Sequence, residues 1–264
     1  MEDITIDINK VKDIAHRGIR RTSAFMGLGV NAARDEQFKK YQLSDSAFSI
    51  ISDKLDDKSI AHIKEEFEKW VISNGLTEIV ESFCLFLDEV HRSCLLMATN
   101  KERIVSNDAR KFGINFKKVG VEDKLKTLKN RFSVTSDKEK YLGSINQARN
   151  CITHRKGMVG TEDLRGEESF RLIWWAVDIC IETPNGEKYT IPEGGLLLQD
   201  GGSLRVHFKE RIIEYKLGDI VNLSPKELSE ICFLVYSATH DIARSVDEYA
   251  KKIGVNIVVT EVIK

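Results

Sequence analysis

Six consecutive residues, Arg149-Asn150-Cys151-Ile152-Thr153-His154, bring a cation, an amide and an imidazole together in a short span. On a helix, at about 100° per residue, Asn150 and His154 fall on nearly one bearing. Arg149 lies about 100° from the first and about 140° from the second, so all three share one side. A guanidinium grips a phosphodiester through two parallel charge-assisted bonds and keeps its proton. An imidazole titrates near neutrality and moves protons in either direction. Asn orients the imidazole or donates to a phosphate oxygen. The set fits transesterification of RNA, in which the 2′-hydroxyl attacks its own phosphate without a metal or cofactor. As a bare pattern it is weak, because many helix ends carry an Arg and a His five apart by chance.

The charge around the cluster points the same way. Residues 101–156 hold 15 Lys and Arg against 6 Asp and Glu, a local balance of +9 in a chain whose net charge is −1. A basic segment on an acidic body is a nucleic-acid footprint, and a solvated helical face gives the same signature. Lys124, Lys126 and Lys129 on one short helix, with Arg155 and Lys156 directly after the cluster, are the candidate RNA contacts.

Other candidates carry less. His240, with Tyr236 and Arg244 one turn either side, has the spacing to line the same cleft, or to be a satisfied helix histidine. His91 and His16 read more simply as helix residues, and His62 and His207 have no evident partner. Cys151 has no neighbour that would make it a thiolate. No His, Cys or carboxylate spacing suggests a metal. Trp174 and Trp175 face opposite sides of a strand, one toward the core and the other toward a base or a subunit contact.

The elements that must position these groups are mainly helical. Ile8, Val11, Ile14, Ala15 and Ile19 recur at helical spacing, with a docked loop expected over Phe25–Ala33. A helix from Asp57 or Ser59 is expected to close at Asn74-Gly75, and a second to run from Thr77 to about Asn100. Ile79, Val80, Phe83, Leu87, Val90, Cys94 and Leu95 form the buried stripe of the second. After a loop over Gly113–Gly120, Val121–Phe132 makes a basic helix. A capping box of Ser136 and Glu139 starts the helix that carries the cluster, and Lys156-Gly157 ends it. The period then changes to two, with Ile173, Trp175, Val177, Ile179 and Ile181 on one face. Short runs follow at Tyr189–Ile191, Leu196–Gln199, Leu204–Phe208 and Ile212–Leu217, with turns at Pro184-Asn185-Gly186 and Asp200–Ser203. Ser224-Pro225-Lys226-Glu227 begins a last helix that stops at Gly254, and Ile257–Ile263 reads as a terminal strand. The expected division is a helical bundle with an N-terminal extension over 1–165, an antiparallel β insert over 166–223, and a returning helix and strand over 224–264.

Composition bounds the class. In 264 residues, 42% are hydrophobic and 31% charged, which is enough for a core under a wet surface. The N-terminus lacks the basic start and apolar run of a secretory signal. The apolar stretch Phe83–Met97 is broken by Asp88, Glu89, His91 and Arg92 and reads as a core helix rather than a span. Five scattered cysteines without a C-x-x-C pair favour a reducing, hence cytoplasmic, compartment.

The string Ala148-Arg149-Asn150-Cys151-Ile152-Thr153-His154-Arg155-Lys156-Gly157 resembles the signature of the HEPN family of helical domains, in which R-N-x-x-x-H closes a late bundle helix. The likeness covers roughly residues 60–160. It implies an antiparallel HEPN-like helical bundle, and with the small antiparallel sheet read as an insert before the last long helix the expected fold is mainly α (α+β). It further implies a metal-independent endoribonuclease without cofactors, working as a homodimer whose two motifs meet at one cleft. Arg149 would bind the phosphate, His154 would be the catalytic imidazole, and Asn150 would support both. Many such proteins are toxins or defence effectors restrained by an inhibitory partner; others are inactive modules that bind RNA or protein. The β insert and the N-terminal extension depart from the minimal pattern.

Overall fold

A computed structural model describes residues 6–38, 55–101, 104–190 and 201–255. Among them the chain is mainly helical, with a three-stranded antiparallel sheet. Helix α1 (Ile8–Arg34) starts where the Asp7 side chain accepts the Asn9 and Lys10 amides. It runs without a break through Phe25–Ala33, so the loop expected there is not found. The glycines have another use: a Cβ on Gly29 would stand 2.7 Å from Val71, and one on Gly18 2.2 Å from Ser82. They let α1 lie close along α2.

Helix α2 (Asp57–Asn100) is a single rod of 44 residues. The break expected at Asn74-Gly75 does not occur. A Cβ on Gly75 would stand 2.8 Å from Leu228 and 3.0 Å from Thr22, so this glycine also answers a close approach of neighbouring elements. The expected stripe from Ile79 to Leu95 is buried throughout. By length and composition α2 contains one 18-residue stretch apolar enough to cross a membrane, and half of it is buried in the protein. A core helix needs that composition.

Helix α3 (Ser106–Phe116) occupies the first half of the loop expected around Gly113. Helix α4 (Val121–Phe132) coincides with its expected span and buries Leu125 and Leu128. Helix α5 (Glu139–Arg155) starts later than the Ser136 cap predicts. The Ser136 hydroxyl instead accepts the Lys138 amide at 3.2 Å and donates to Asp241 at 3.2 Å, tying the entry of α5 to the last helix. A single turn, α6 (Thr161–Leu164), follows.

Strands β1 (Phe170–Glu182), β2 (Lys188–Thr190) and β3 (Ser203–Tyr215) form the sheet in the order β2-β1-β3. The register pairs Phe170 with Tyr215 and Glu182 with Ser203, so Leu204–Phe208 and Ile212–Tyr215 belong to one strand rather than two runs. Phe170, Leu172, Trp174 and Ala176 are buried in the core, while Ile173, Trp175 and Val177 between and beyond them are half-buried, Trp175 packing against the edge of that core. The expected run Leu196–Gln199, Ile191 and the terminal strand lie outside the described residues. Helix α7 (Pro225–Ile253) begins with the expected capping box of Ser224 and Glu227 and stops at Gly254, whose φ is +71°. One hydrophobic core joins α1, α2, α4, α5, β1 and α7.

Candidate functional site

The cluster sits on the last turns of α5, and the chain beyond that helix is fixed by its own bonds. Lys156 and Gly157 both take left-handed backbone, with φ of 54° and 85°. The Gly157 amide returns to the Cys151 carbonyl at 3.2 Å, the bond that closes a Schellman-type helix end. The Val159 amide then donates to the Asp219 carbonyl at 2.9 Å, and Val221 donates back to Gly157 at 2.8 Å. The helix end therefore leans on the segment that leads into α7.

Arg149 is held from two sides. Its Nη2 donates to Glu81 Oε1 on α2 at 2.9 Å, and its Nη1 donates to Asn150 Oδ1 at 3.1 Å. The side chain is 22% exposed, and its enclosed Nε has no protein partner. Asn150 thus aims the guanidinium rather than the imidazole. His154 is exposed, and among the described residues it has no hydrogen-bond or ion-pair partner. A single chain consequently presents an aimed cation and an unengaged imidazole on neighbouring turns, but does not bring the two into contact.

Of the residues expected to bind RNA, two are committed elsewhere. Lys124 is 3% exposed and donates to Asp88 at 2.6 Å, beneath the Phe116 ring, so it has no face for a phosphate. Arg155 makes a two-point pair with Asp163, which is 3% exposed and also accepts the Gly160 amide at 2.9 Å. That pair locks the turn after α5. Lys129 stands 3.5 Å from Glu139 in the first turn of α5, at the opposite end of that helix from His154, about 22 Å of rise away. Lys126 and Lys156 are exposed and have no ion-pair partner among the described residues. The basic segment is therefore dispersed over the fold, and Lys156 alone of these lysines adjoins the cluster.

Lys156 opens onto a groove of about 930 Å³ between the end of α5, the middle of α2 and the segment 220–222. Trp70, Asn74, Thr77 and Thr153 also line it. Sequence reasoning missed both Glu81 and Trp70. Glu81 is 68 residues from Arg149, and no local spacing reports such a pair.

The remaining histidines lie apart. His240 packs across to α1, with its ring 5.1 Å from His16 and 4.6 Å from Tyr236, and does not line the groove. Burial, followed by the charge of His240, pushes His16 down to about 4. His91 stacks on Phe116 at 3.8 Å and is pushed by burial to about 4. Cys151 donates to the Met158 carbonyl at 3.2 Å, and burial raises its thiol to about 11, an inert group inside the motif. Trp174 is the core tryptophan, donating to Glu230 at 2.9 Å. Trp175 is half-buried and stacks on Phe208 of β3 and Phe233 of α7, with the Lys138 ammonium over its ring.

Comparison with protein-family models, curated proteins and solved structures finds no match for this chain.

Proposed function

We propose that the chain is a metal-independent endoribonuclease of the HEPN type, acting on RNA by 2′-hydroxyl attack. The observation that carries the reading is the guanidinium of Arg149, aimed by Asn150 and Glu81, one turn from an exposed and unengaged imidazole. Glu81 is a surface partner, and surface ion pairs are weak, so a phosphate can take its place on Arg149. His154 then exchanges protons with the attacking or the departing oxygen. One imidazole cannot fill both roles at once, and Arg149 is too basic for either. Two chains related by a two-fold axis beside the motif would supply both histidines. The setting that suits such an activity is the cytoplasm, as a toxin or defence effector held by an inhibitory partner.

A second reading has its own support. Arg149 already has its charge matched by Glu81, and Arg155 is engaged by Asp163, so the motif face is less cationic than the sequence promises. This favours a non-catalytic module binding RNA or protein. Incubating purified protein with labelled RNA in EDTA separates the two. Cleavage to 2′,3′-cyclic phosphate ends, lost in His154→Ala and Arg149→Ala, supports the enzyme. Equal products from all three proteins remove the motif from the chemistry.

A further inference from the structure

The sheet carries a surface that the motif does not use. Near the body, β1 is apolar on the side it turns to the core, through Phe170, Leu172, Trp174 and Ala176. From Asp178 outward that side becomes polar. Asp178 pairs with Arg211 at 2.9 Å and Glu182 with Arg205 at 2.6 Å, and the exposed His207 and Lys209 lie on the same side. The opposite side stays apolar to the end of the strand. The register sets Val177 against Phe208, Ile179 against Val206, and Ile181 against both Leu204 and Tyr189. None of these side chains is charged, although a sheet face open to water is normally polar. Phe208 is 64% exposed and Leu204 61%. The Phe208 ring stacks on Trp175, which stacks on Phe233 of α7, so the apolar face continues onto that helix.

We infer that this face is an interface between two copies of the chain, packed sheet against sheet about a two-fold axis. It is not the contact invoked for the motif. Tyr141 and Ser144, near the start of α5, bond to the sheet, whereas His154 lies at the far end of that helix. The sheet also lies outside the residues that carry the family likeness, so the inference stands apart from the ribonuclease reading. Ile179, Tyr189, Leu204, Val206, Phe208 and Phe233 are 38–64% exposed, and at about 200 Å² for a large side chain they leave roughly 600 Å² in water. That is the upper end for an apolar patch on a monomer. Two copies would bury roughly 1,200 Å² between them, where specific stable interfaces begin. A two-fold contact sets one patch against its own image, so a charge on it would meet a like charge; this outer face has none. Stacked sheets sit about 10 Å apart with inward side chains interdigitating, a spacing that Leu, Val and Phe fill. Pairing along the outer edge of β3 would only widen the apolar face, so the contact is made through faces.

The test is sedimentation velocity of the full chain over a range of concentrations. The unmutated chain should sediment as an even-numbered assembly. Phe208→Glu should halve its mass, weakening the association by about 30-fold or more, the effect of losing a central aromatic anchor. Leu204→Glu should act in the same way. Both side chains are exposed, so the changes spare the core, and unchanged circular dichroism shows that the variants fold. Lys209→Glu, next along β3 but on the charged side, should leave the mass unchanged. A drop from tetramer to dimer, where the motif also joins two chains, supports the inference as well as a drop from dimer to monomer. An assembly that survives both Phe208→Glu and Leu204→Glu is held elsewhere and overturns it. So does an assembly broken equally by Lys209→Glu, because the face is then not what joins the copies. An unmutated chain that stays monomeric also overturns it. Anilinonaphthalene sulfonate then tells what replaces the second copy: dye that binds and is lost in Phe208→Glu marks a face open to a different protein, and no binding marks a face covered by its own chain.

Discussion

Lys124→Met is the substitution that best separates folding from recognition. Its ammonium is almost fully enclosed, 2.6 Å from Asp88, whose side chain is 18% exposed. Removing one partner of such a pair strands the other charge, at a cost of about 3–5 kcal/mol. Asp88 recovers some hydration through its exposed edge, so the lower end applies, about 3 kcal/mol. For a chain of this size that corresponds to a fall in Tm of about 6–12 °C. Urea unfolding of Lys124→Met, Asp88→Leu and the double variant gives the coupling between the two positions. The double variant should regain most of the loss, because an apolar pair of similar volume carries no stranded charge. RNA affinity, measured well below the transition, should not change. A loss of less than about 0.5 kcal/mol with additive effects would show that the pair is not buried as described. A weakened RNA affinity in the folded variant would return Lys124 to the binding surface.

Four further outcomes are expected. His154→Ala should lower RNA cleavage by about 10²–10⁴-fold with the fold retained, the range for a placed proton-transfer group. In subunit exchange of unmutated chains with excess His154→Ala, activity should fall as the square of the unmutated fraction; a straight line would mean independent sites. His91 has a folded pKa of about 4 against an ordinary 6.5, so the unfolded chain takes up its proton first. The stabilisation is complete above pH 6.5 and is lost as pH falls toward 4, by about 2 kcal/mol between pH 7 and pH 5. Replacing His91 with Phe should flatten that part of the stability profile, and an unchanged slope would show that His91 titrates normally. Gly18→Ala would set a methyl group 2.2 Å from the Ser82 hydroxyl and should cost about 1–3 kcal/mol in chemical denaturation. The added change Ser82→Gly should recover part of it, and a neutral Gly18→Ala would disprove the close crossing.

The sequence and the fold agree where local chemistry decides the outcome. Ser224-Pro225 with Glu227, and Gly254 beyond, bound α7 as the capping rules require. The alternation after Leu172 announces a strand, although apolar residues on both of its faces left the core side undecided. The misjudged places share a cause. Gly27, Gly29 and Gly75 read as loop or cap signals, yet all three are helical, and Gly29 and Gly75 sit where another element comes close. Nothing within a few residues distinguishes a glycine needed for its backbone from one needed for its missing side chain. The same limit applies to the site. The motif and its helix end are local and legible, whereas the Glu81 contact and the burial of Lys124 depend on which helices meet.

The unbroken course of α2 divides its backbone into two kinetic regimes. From Val71 onward the rod repeatedly enters the core, but Asp57 through Trp70 includes no buried residue. That first third, about 20 Å of helix, is fastened sideways by such contacts as the exposed pair of Arg34 with Glu68. Amide protons there should exchange with deuterium through local fraying, orders of magnitude faster than those around Phe86 and Val90, which wait for global unfolding. Trp70 stands at the junction. Any partner that covers these turns would therefore register as slowed exchange there, a reporter built into the helix that needs no label.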